Sequence, residues 1–223
     1  MNVRGARAVV TGASRGLGAA IVTRLAERGA RTALVARDED ALESLRTRIG
    51  GDAYPADLCE TGAIGDLVHR ITSDGPIDIL VNNAGIDLTG DLTEIEPAAI
   101  ERLFALNLVA PVLMSRAVIP GMRARGRGHI VNVSSLSAAS VLPGIVPYSV
   151  SKAGLSHFTA GLRAELKGTP IGTTLVEIGP VRGSMVESLR SHPPTRRALR
   201  RFERLHLVRD LHVDTVVEAT VDA

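Results

Sequence analysis

Short apolar runs alternate with longer amphipathic segments along most of the chain. The amphipathic segments are of helix length, with apolar residues recurring on one face. The runs of strand length lie at residues 8–10, 32–36, 77–81, 129–133 and 174–178. This alternation predicts βαβ units, and therefore an α/β fold with a doubly wound parallel sheet of the Rossmann type. In such a sheet, ligands bind beyond the carboxyl ends of the strands, where the strand order reverses.

Glycine, aspartate and proline mark where several helices begin and end. Gly29 and Ala30 stand where the first helix should end, and Asp38 can cap the second. Pro97 falls in the first turn of a long predicted helix that runs to residue 123. The 223 residues contain no linker-like stretch, so we expect a single domain over residues 1–223.

Composition narrows the classes of protein that fit. Apolar residues make up 45% of the chain and aromatic residues only 2%, so the core must consist of Ala, Val, Leu and Ile. So few aromatic rings argue against stacking on bases, and we expect no nucleic-acid partner. The formal net charge is only +2. Arginines are nevertheless concentrated in residues 182–209, as either a solvated helix face or a site for an anionic substrate or partner.

Cysteine content and hydropathy indicate the cellular compartment in which the protein is expected. Cys59 is the only cysteine, so no internal disulfide can form, and nothing near it has the spacing of metal ligands. We therefore expect no metal site. The first residues enter a strand without the features of a signal peptide, and we see no apolar run near membrane-spanning length. We expect a cytoplasmic protein with no membrane partner.

A glycine-rich loop, TGASRGLG at residues 11–18, follows the first strand and leads directly into a helical pattern. Gly12 permits a tight turn, Gly16 lets a pyrophosphate approach the backbone, and Gly18 lets helix and strand pack closely. Free N–H groups at the start of the helix favour an anion. The spacing differs from the G-x-G-x-x-G fingerprint, and the loop by itself could also be a helix start that binds nothing.

Two further motifs follow in order: NNAG at residues 82–85 and YSVSK at residues 148–152. Together with the glycine loop they resemble the short-chain dehydrogenase/reductase family. In that family Thr-Gly-x-x-x-Gly-x-Gly opens the chain, Asn-Asn-Ala-Gly follows the fourth strand, and Tyr-x-x-x-Lys lies on a later helix. The resemblance covers nearly the whole chain. It implies a dinucleotide cofactor and oxidoreductase activity on alcohols and carbonyl compounds.

The end of the second strand bears on which dinucleotide is bound. An acidic residue there would bond the ribose 2′-hydroxyl and repel a 2′-phosphate, but the position is Ala36, followed by Arg37. Arg37 and Arg15 can form charge-assisted hydrogen bonds to that phosphate. We therefore expect NADP(H) to be preferred. NAD(H) stays possible, because Asp38 could bond the hydroxyl and both arginines could be ordinary surface charges.

The resemblance implies further positions around the cofactor. Some of these residues have a structural alternative, since Asn82 and Asn83 can hydrogen-bond neighbouring backbone and stabilise the sheet. The expected cofactor contacts are Ser14 and Leu17 in the glycine loop, Asp57 and Leu58 at the adenine, and Asn83, Ala84 and Gly85 at the adenosine ribose.

Tyr148 and Lys152 lie four residues apart in a predicted helix, so their side chains share one face of it. Lowering the pKa of a tyrosine from about 10 to about 7 requires about 4 kcal/mol. An ammonium about 4 Å away contributes on the order of 4 kcal/mol at an effective dielectric of about 20. We therefore expect Lys152, together with the positive nicotinamide ring of the oxidised cofactor, to make Tyr148 acidic enough for general acid-base catalysis. By the resemblance both residues also contact the cofactor, Lys152 through the nicotinamide ribose. Alternatively, they form a surface pair.

Two more catalytic residues follow from the resemblance. Ser135, thirteen positions before Tyr148, matches the family's catalytic serine and would hydrogen-bond the substrate oxygen. Ser134 is its rival, but strand alternation directs the Ser134 side chain the other way. Asn107 matches the family's helix asparagine, which holds a water that links the lysine to solvent. Ser135 could instead be a turn cap, and Asn107 a satisfied buried amide.

The segment after the last predicted strand, residues 174–178, departs from the family pattern Pro-Gly-x-Val-x-Thr. Gly179 and Val181 are present, and the Val181 backbone would bind the nicotinamide carboxamide. The usual threonine is Gly183, which leaves Ser184 as a substitute donor. The binding of the nicotinamide ring is therefore less well defined by the sequence than that of the adenosine.

Two segments should enclose the substrate: the loop 136–147 and a helical lid at residues 182–212. The lid carries apolar residues at Met185, Leu189, Leu199, Phe202 and Leu205. This lining favours a hydrophobic ketone, aldehyde or secondary alcohol, while the lid arginines leave an acidic or phosphorylated substrate open.

The family's last strand has no counterpart after the final helical pattern, so we expect the sheet to be one strand short. By resemblance, the predicted helices 97–123 and 147–167 should form the interface of a homodimer or homotetramer. Two functions remain open: an NADP(H)-dependent enzyme that interconverts a carbonyl and an alcohol, and a non-catalytic NADP(H)-sensing binding protein on the same fold.

Overall fold

A parallel six-stranded sheet forms the centre of the protein, with strand order β3-β2-β1-β4-β5-β6. The computed structural model describes residues 3–140, 142–181, 184–204 and 211–222, with backbone only for 184–186. The strands are β1 Arg7–Thr11, β2 Arg31–Ala36, β3 Asp52–Pro55, β4 Ile79–Asn82, β5 Gly128–Ser135 and β6 Ile171–Ile178. The predicted doubly wound sheet is confirmed. The order reverses between β1 and β4, which places the binding crevice there.

The hydropathy pattern did not predict strand β3. The sequence of β3 is only DAYP, and its ends are an aspartate and a proline. It pairs with β2 alone, at the edge of the sheet, where a proline costs no ladder bond on the open side. An edge strand needs no long apolar run, so the hydropathy pattern does not predict it.

The described residues form nine helices, six of which pack on the two faces of the sheet. They are α1 Gly16–Glu27, α2 Glu39–Ile49, α3 Ile64–Ser73, α4 Pro97–Phe104, α5 Ala110–Arg125, α6 Val146–Glu165, α7 Ser184–Ser191, α8 Pro193–Arg204 and α9 Val213–Asp222. Residues of α3, α5 and α6 pack on one face of the sheet, and residues of α1, α2 and α9 on the other. Neighbouring residues of β1 alternate between these two cores, Val9 in the first and Ala8 and Val10 in the second.

The predicted helix boundaries are largely confirmed. Helix α1 ends at Glu27, two residues before Gly29, which has a φ of +85°. Asp38 caps α2, since its carboxylate accepts a hydrogen bond of 3.0 Å from the Ala41 N–H. Pro97 opens α4 as predicted.

The long helix predicted from Pro97 is continuous but irregular. A π-helical turn, Ala105–Val109, joins α4 to α5, and the helix ends at Arg125. The whole unit, Pro97–Arg125, has 29 residues and is long and apolar enough to cross a membrane, so the expectation that no segment approaches that length is wrong. Its apolar composition has a simpler cause: Met114, Val118 and Met122 are buried in the core against the sheet.

Strand β6 forms the far edge of the sheet, and no further strand pairs with it in the part of the chain that the structure describes. The sheet therefore has six strands among the described residues. Helix α9 packs on α1. Glu218 of α9 forms ion pairs there with Arg24 (2.8 Å) and Arg28 (2.5 Å).

Candidate active site

The glycine loop turns tightly out of β1, as predicted. Gly12 has a φ of +67°, and a Cβ placed on it would lie 2.9 Å from the Ala84 Cα. A Cβ on Gly18 would lie 2.1 Å from the carbonyl oxygen of Gly12, so the helix start and the turn touch through backbone. Gly16 differs, because its φ is +56° and a Cβ there would meet nothing within 4 Å. The backbone at Gly16 therefore faces open space, as the approach of a phosphate requires.

The first turn of α1 is suited to a phosphate. Helix α1 begins at Gly16, and Arg15 occupies its N-cap position without a side-chain cap bond or an acidic residue in the first turn. No described side chain competes there for the N–H groups. Ser14 is half-buried and Leu17 packs on the core, while the Arg15 side chain is exposed. These residues fit a dinucleotide pyrophosphate.

The NNAG segment is fastened to the glycine loop at the carboxyl ends of β1 and β4. The Thr11 hydroxyl accepts hydrogen bonds of 3.0 Å from the backbone N–H groups of both Asn83 and Ala84. The Asn83 amide donates to the Thr11 carbonyl at 2.9 Å. Asn82 instead donates to the Asn132 side chain at 2.8 Å, between β4 and β5. The structural role predicted for the two asparagines is confirmed.

A group of charged residues lies at the end of β2. Asp57 accepts hydrogen bonds from the Cys59 N–H (2.9 Å) and from Arg102 (3.0 Å), and Arg37 approaches it at 3.8 Å. Burial alone would raise the pKa of Asp57, but the hydrogen bonds from Cys59 and Arg102 hold it below its usual range. The Arg37 side chain is exposed and its ion pair is long, so it is available to another anion. Asp38 is engaged as the cap of α2.

The predicted adenine position, next to these charged residues, is only partly accessible to solvent. Leu58 is buried in the core, with 4% of its surface exposed. Asp57 lies nearer the surface. Of Asp57 and Leu58, Asp57 is therefore the residue that offers a polar group to an adenine.

Tyr148 and Lys152 lie on the first two turns of α6, as predicted, and both are buried at 6% and 5% exposure. The Lys152 Nζ is 5.9 Å from the centre of the Tyr148 ring and donates a 3.0 Å hydrogen bond to the Val133 carbonyl. A Cβ on Gly85 would lie 3.5 Å from that Nζ, so the NNAG segment and the lysine are neighbours. Burial lowers the pKa of Lys152 to about 8. The alternative of an exposed surface pair is wrong.

Burial opposes the acidity predicted for Tyr148. Burial raises the pKa of Tyr148 to about 12, a hydrogen bond with Ser135 acts in the opposite direction, and the charge of Asp87 adds to the rise. The prediction counted the charges of the ammonium and of the oxidised nicotinamide ring and left out the desolvation of the phenolate. Tyr148 is consequently a neutral phenol at neutral pH.

Ser135 and Ser134 point in different directions, as strand alternation predicted. The Ser135 Oγ accepts hydrogen bonds from the Ser137 N–H (3.2 Å) and hydroxyl (2.9 Å), in addition to its bond with Tyr148. The Ser134 hydroxyl donates to the Lys152 carbonyl at 3.1 Å, within the protein core. Ser135 thus caps a turn and also contacts the tyrosine, so the two interpretations of it are compatible. Ser137 was not predicted from the sequence.

Asn107 is completely buried in the π-helical turn between α4 and α5. Its Oδ1 accepts from the Ile86 N–H, and its Nδ2 donates to the Ile86 carbonyl, each at 2.9 Å. The same Nδ2 donates to the Ser151 hydroxyl at 3.2 Å. The side-chain amide therefore holds the segment after NNAG in place, as a satisfied buried amide. Irregular π-turns of this kind are frequent at functional sites.

Asp87 was not singled out from the sequence. It follows the NNAG motif and is half-buried, and its Oδ2 atom is buried without a hydrogen-bond partner among the described residues. The sequence signal for it was a carboxylate two residues after Gly85 of the NNAG motif, between the apolar residues Ile86 and Leu88.

The chain beyond β6 contains Gly179 and Val181, two residues predicted to contact the nicotinamide. Gly179 is half-buried, and Val181 forms an isolated parallel bridge with Leu211, whose N–H donates to the Pro180 carbonyl at 2.8 Å. Arg182 and Gly183 lie outside the described residues. Ser184 opens α7, where only its backbone is described.

Helices α7 and α8 belong to the segment 182–212 that the sequence predicts to be a lid, and they pack beside Tyr148. Leu189 and Phe202 pack on an apolar cluster that contains Leu142, Ile145 and Tyr148. Two polar contacts fasten the lid: Thr195 donates to the Pro143 carbonyl at 2.7 Å, and Ser188 to the Thr89 hydroxyl at 3.4 Å. The Met185 side chain and Leu205 lie outside the described part of the chain. The arginines of α8 are exposed, as a solvated helix face would be.

A cavity of about 580 Å³ lies elsewhere, between α3 and α5, and is lined by His69, Thr72, Ile77, Ala117 and Arg125 among others. None of its lining residues belongs to the three motifs or to the lid. The site is therefore located by its side-chain chemistry and not by cavity size.

A doubly wound sheet, a glycine loop open to phosphate and a buried tyrosine-lysine pair define a dinucleotide-binding α/β protein. A family model described as short chain dehydrogenase matches residues 6–194. The chain belongs to the short-chain dehydrogenase/reductase family of oxidoreductases.

Curated relatives include a ketoacyl reductase, HetN, of Nostoc sp., 37% identical over 178 residues, which are 77% of this chain and 62% of that protein. A gluconate 5-dehydrogenase of Gluconobacter oxydans is 36% identical over 170 residues, 74% of this chain and 66% of its own length. The matched chain thus spans less than two thirds of these relatives.

Solved structures of the family superpose closely. A gluconate 5-dehydrogenase from Burkholderia cenocepacia, in complex with NADP and tartrate, has a TM-score of 0.88 at 28% identity and covers 99% of this chain and 89% of that one. A metagenomic short-chain oxidoreductase in complex with NADP has a TM-score of 0.76 at 39% identity, covering 80% and 84%.

Proposed function

We propose that this protein is an NADP(H)-dependent oxidoreductase that interconverts a ketone or aldehyde and an alcohol, with Tyr148 as general acid and base. The observation that carries the proposal is the buried Tyr148 phenol, which is hydrogen-bonded with Ser135 and lies beside Lys152. A bound NADP(H) would supply or accept the hydride. The phenol and the Ser135 hydroxyl would hold the oxygen of the substrate.

The protonation state of Tyr148 favours carbonyl reduction. With a pKa of about 12, the phenol carries its proton at neutral pH and can donate it to the carbonyl oxygen as the alcohol forms. In the reverse direction the phenol must first lose that proton, which its burial opposes. Oxidation of the alcohol should therefore need alkaline conditions or added positive charge beside the ring.

Lys152 and Asn107 have supporting roles in this proposal. Lys152 donates one hydrogen bond to the Val133 carbonyl, which leaves two N–H groups for the nicotinamide ribose hydroxyls. Asn107 fixes the segment around Ile86 beside it. A proton path from Lys152 through a water at the π-turn remains a proposal from the family resemblance.

The preference for NADP(H) is proposed from Arg37 and Arg15. Both side chains are exposed beside the crevice, and Asp38, the residue that would suit NAD(H), already caps α2. Two structural neighbours were solved with NADP. Arg37→Ala should raise the Kd for NADPH about tenfold and leave that for NADH nearly unchanged. Arg48→Ala, an exposed arginine at the far end of α2, is the matched control.

The activity is tested by following NADPH consumption against a panel of ketones and aldehydes. Tyr148→Phe should abolish turnover and leave NADPH binding nearly intact. Equal turnover in both proteins would refute the role of Tyr148. Cofactor binding with no turnover in either would favour the NADP(H)-sensing alternative.

Organisation and partners are also proposals. We propose one domain, with residues 182–212 as the substrate lid, in a cytoplasmic homo-oligomer. Val109, Val146 and Val150 support the oligomer, because they are exposed apolar residues at 40%, 45% and 52% on the α4–α6 surface. Mass measurement in solution tests this.

A further inference from the structure

Two turns of the chain meet beside the apolar cluster of Tyr148. His192 joins α7 to α8, and the Thr195 hydroxyl, in the first turn of α8, donates to the Pro143 carbonyl at 2.7 Å. The His192 Nδ1 lies 2.8 Å from the Thr195 Oγ1. Gly144 has a φ of +84°, and a Cβ placed on it would lie 2.5 Å from that Oγ1 and closer still to the His192 ring. The turn before α6 therefore accommodates His192 and Thr195 only because it contains a glycine.

The segment after NNAG reaches the same place. The Gly90 N–H donates to the Gly144 carbonyl at 2.9 Å, and the Asp91 Oδ1 lies 3.6 Å from the His192 Nε2. We call these contacts the polar junction, which consists of Gly90, Asp91, Gly144, His192 and Thr195. The polar junction joins three segments that lie far apart along the chain.

Each of the three segments also carries apolar residues that pack around Tyr148. Leu142 and Ile145 flank the turn before α6, and both belong with Tyr148 to one buried cluster. The residues of the other two segments that pack on this cluster are Ile86, Leu88, Leu189, Ala198 and Phe202. Tyr148 keeps only 6% of its surface exposed. The polar junction therefore holds together the segments that exclude water from the Tyr148 ring.

The hydrogen bonds around His192 decide which ring nitrogen carries a proton. Thr195 has a single hydroxyl proton, which it donates to the Pro143 carbonyl, so its Oγ1 must accept from the His192 Nδ1. Thr195 is fully buried, so this bond is shielded from water. The Nε2 faces Asp91, whose side chain is 64% exposed, and an exposed contact of 3.6 Å contributes little. The Nδ1–H is therefore the group through which His192 stabilises the polar junction.

We propose that His192 is a positioning residue whose Nδ1–H fastens α7 and α8 to the turn before α6 and thereby holds Tyr148 in its enclosed position. This inference rests on the proposed function, because it concerns the geometry of the residue that would exchange a proton with the substrate. Without the ring, the polar junction loses a buried hydrogen bond, so α8 and the first turn of α6 open more often by local unfolding. An open segment no longer holds the phenol in the geometry that proton transfer requires.

Amide hydrogen exchange tests this inference without any substrate. In His192→Ala, the amides of α8 and of the first turn of α6 should exchange about fivefold faster than in wild type, the effect of one lost buried hydrogen bond. Amides of α1, which packs on the other face of the sheet from α6, should keep their wild-type rates. His192→Asn can place an amide N–H at the Nδ1 position and should restore slow exchange. His192→Gln extends its amide toward the Nε2 position and should exchange as fast as His192→Ala.

Two further variants check the bond itself. Thr195→Val removes the partner of His192, so it should exchange at least as fast as His192→Ala, and combining the two substitutions should accelerate exchange no further. His129→Ala is the matched control, because it loses an imidazole–threonine bond of 2.9 Å at the end of β5 away from Ser135. Its α8 amides should exchange at the wild-type rate.

Turnover gives the second measurement. The kcat for NADPH-dependent reduction of the panel ketones should fall at least about threefold in His192→Ala and recover in His192→Asn. The inference is overturned by equal exchange in wild type and His192→Ala, by equal acceleration of α1 and α8, or by rescue with Gln instead of Asn. An unchanged kcat in an active His192→Ala would also overturn it. The expected exchange rates with no turnover in any variant, wild type included, would count against the proposed activity alone.

Discussion

The ammonium group of Lys152 lies in the protein interior at a measurable cost in stability. Burial lowers its pKa from an ordinary 10.5 to about 8. At about 1.36 kcal/mol per unit, this shift corresponds to about 3 kcal/mol of destabilisation at neutral pH. Lys152→Met removes the charge and retains most of the apolar stem, but loses the hydrogen bond to the Val133 carbonyl, worth about 1 kcal/mol. We therefore expect the variant to be more stable by about 2 kcal/mol at pH 7, and inactive.

The lowered pKa of Lys152 also predicts how the unfolding free energy changes with pH. Between the folded pKa of about 8 and the unfolded value of 10.5, the unfolded chain binds more protons at this residue, so stability rises with pH. Below pH 8 both states are protonated and the full penalty applies. From pH 7 to pH 9.5 the unfolding free energy of wild type should gain about 2 kcal/mol relative to Lys152→Met.

Urea denaturation at fixed protein concentration, repeated at several pH values, measures this difference. The chain has only one other lysine, the exposed Lys167, so Lys167→Met is the matched control and should follow wild type. Parallel pH profiles for wild type and Lys152→Met, or a variant less stable than wild type at pH 7, would show that the ammonium is solvated and would refute the reasoning.

Three further predictions follow from contacts in the site. Gly18→Ala should destabilise the fold by at least about 2 kcal/mol, because its Cβ would lie 2.1 Å from a backbone oxygen; an unchanged Tm would contradict the close packing. Asn107→Ala should cost about 2–4 kcal/mol in urea denaturation, because it leaves the N–H and C=O of Ile86 unpaired; a cost under about 1 kcal/mol would show that water replaces the amide. In Tyr54→Phe, the remaining Tyr148 should stay almost wholly neutral at pH 10 by phenolate absorbance, since its pKa is about 12; half-ionisation there would show an unburied phenol.

Agreement between sequence and structure is closest where the signal is local. The glycines of residues 11–18 have the conformations that their spacing implied, and Asp38 caps the helix it precedes. Ser134 and Ser135 point to opposite sides because alternation along a strand needs no knowledge of its neighbours.

The sequence-based predictions disagree with the structure where a property, such as a pKa, depends on how deeply a side chain is buried. The sequence placed Tyr148 and Lys152 on one helix face and estimated an attraction between charges. In the structure both residues are nearly enclosed, and desolvation raises one pKa and lowers the other. The extent of that enclosure depends on the lid and on the segment around Ile86, which lie far from the pair along the chain.

By itself the sequence determined the α/β class, the parallel sheet and the three motifs, two that follow strands and one on a helix, because hydropathy period, turn residues and helix spacing act over a few neighbouring positions. Only the tertiary structure decided the protonation of Tyr148, the double hydrogen bond of Asn107 to Ile86 and the unpaired oxygen of Asp87. Solvent exclusion and the pairing of buried polar groups depend on residues brought together from distant parts of the chain.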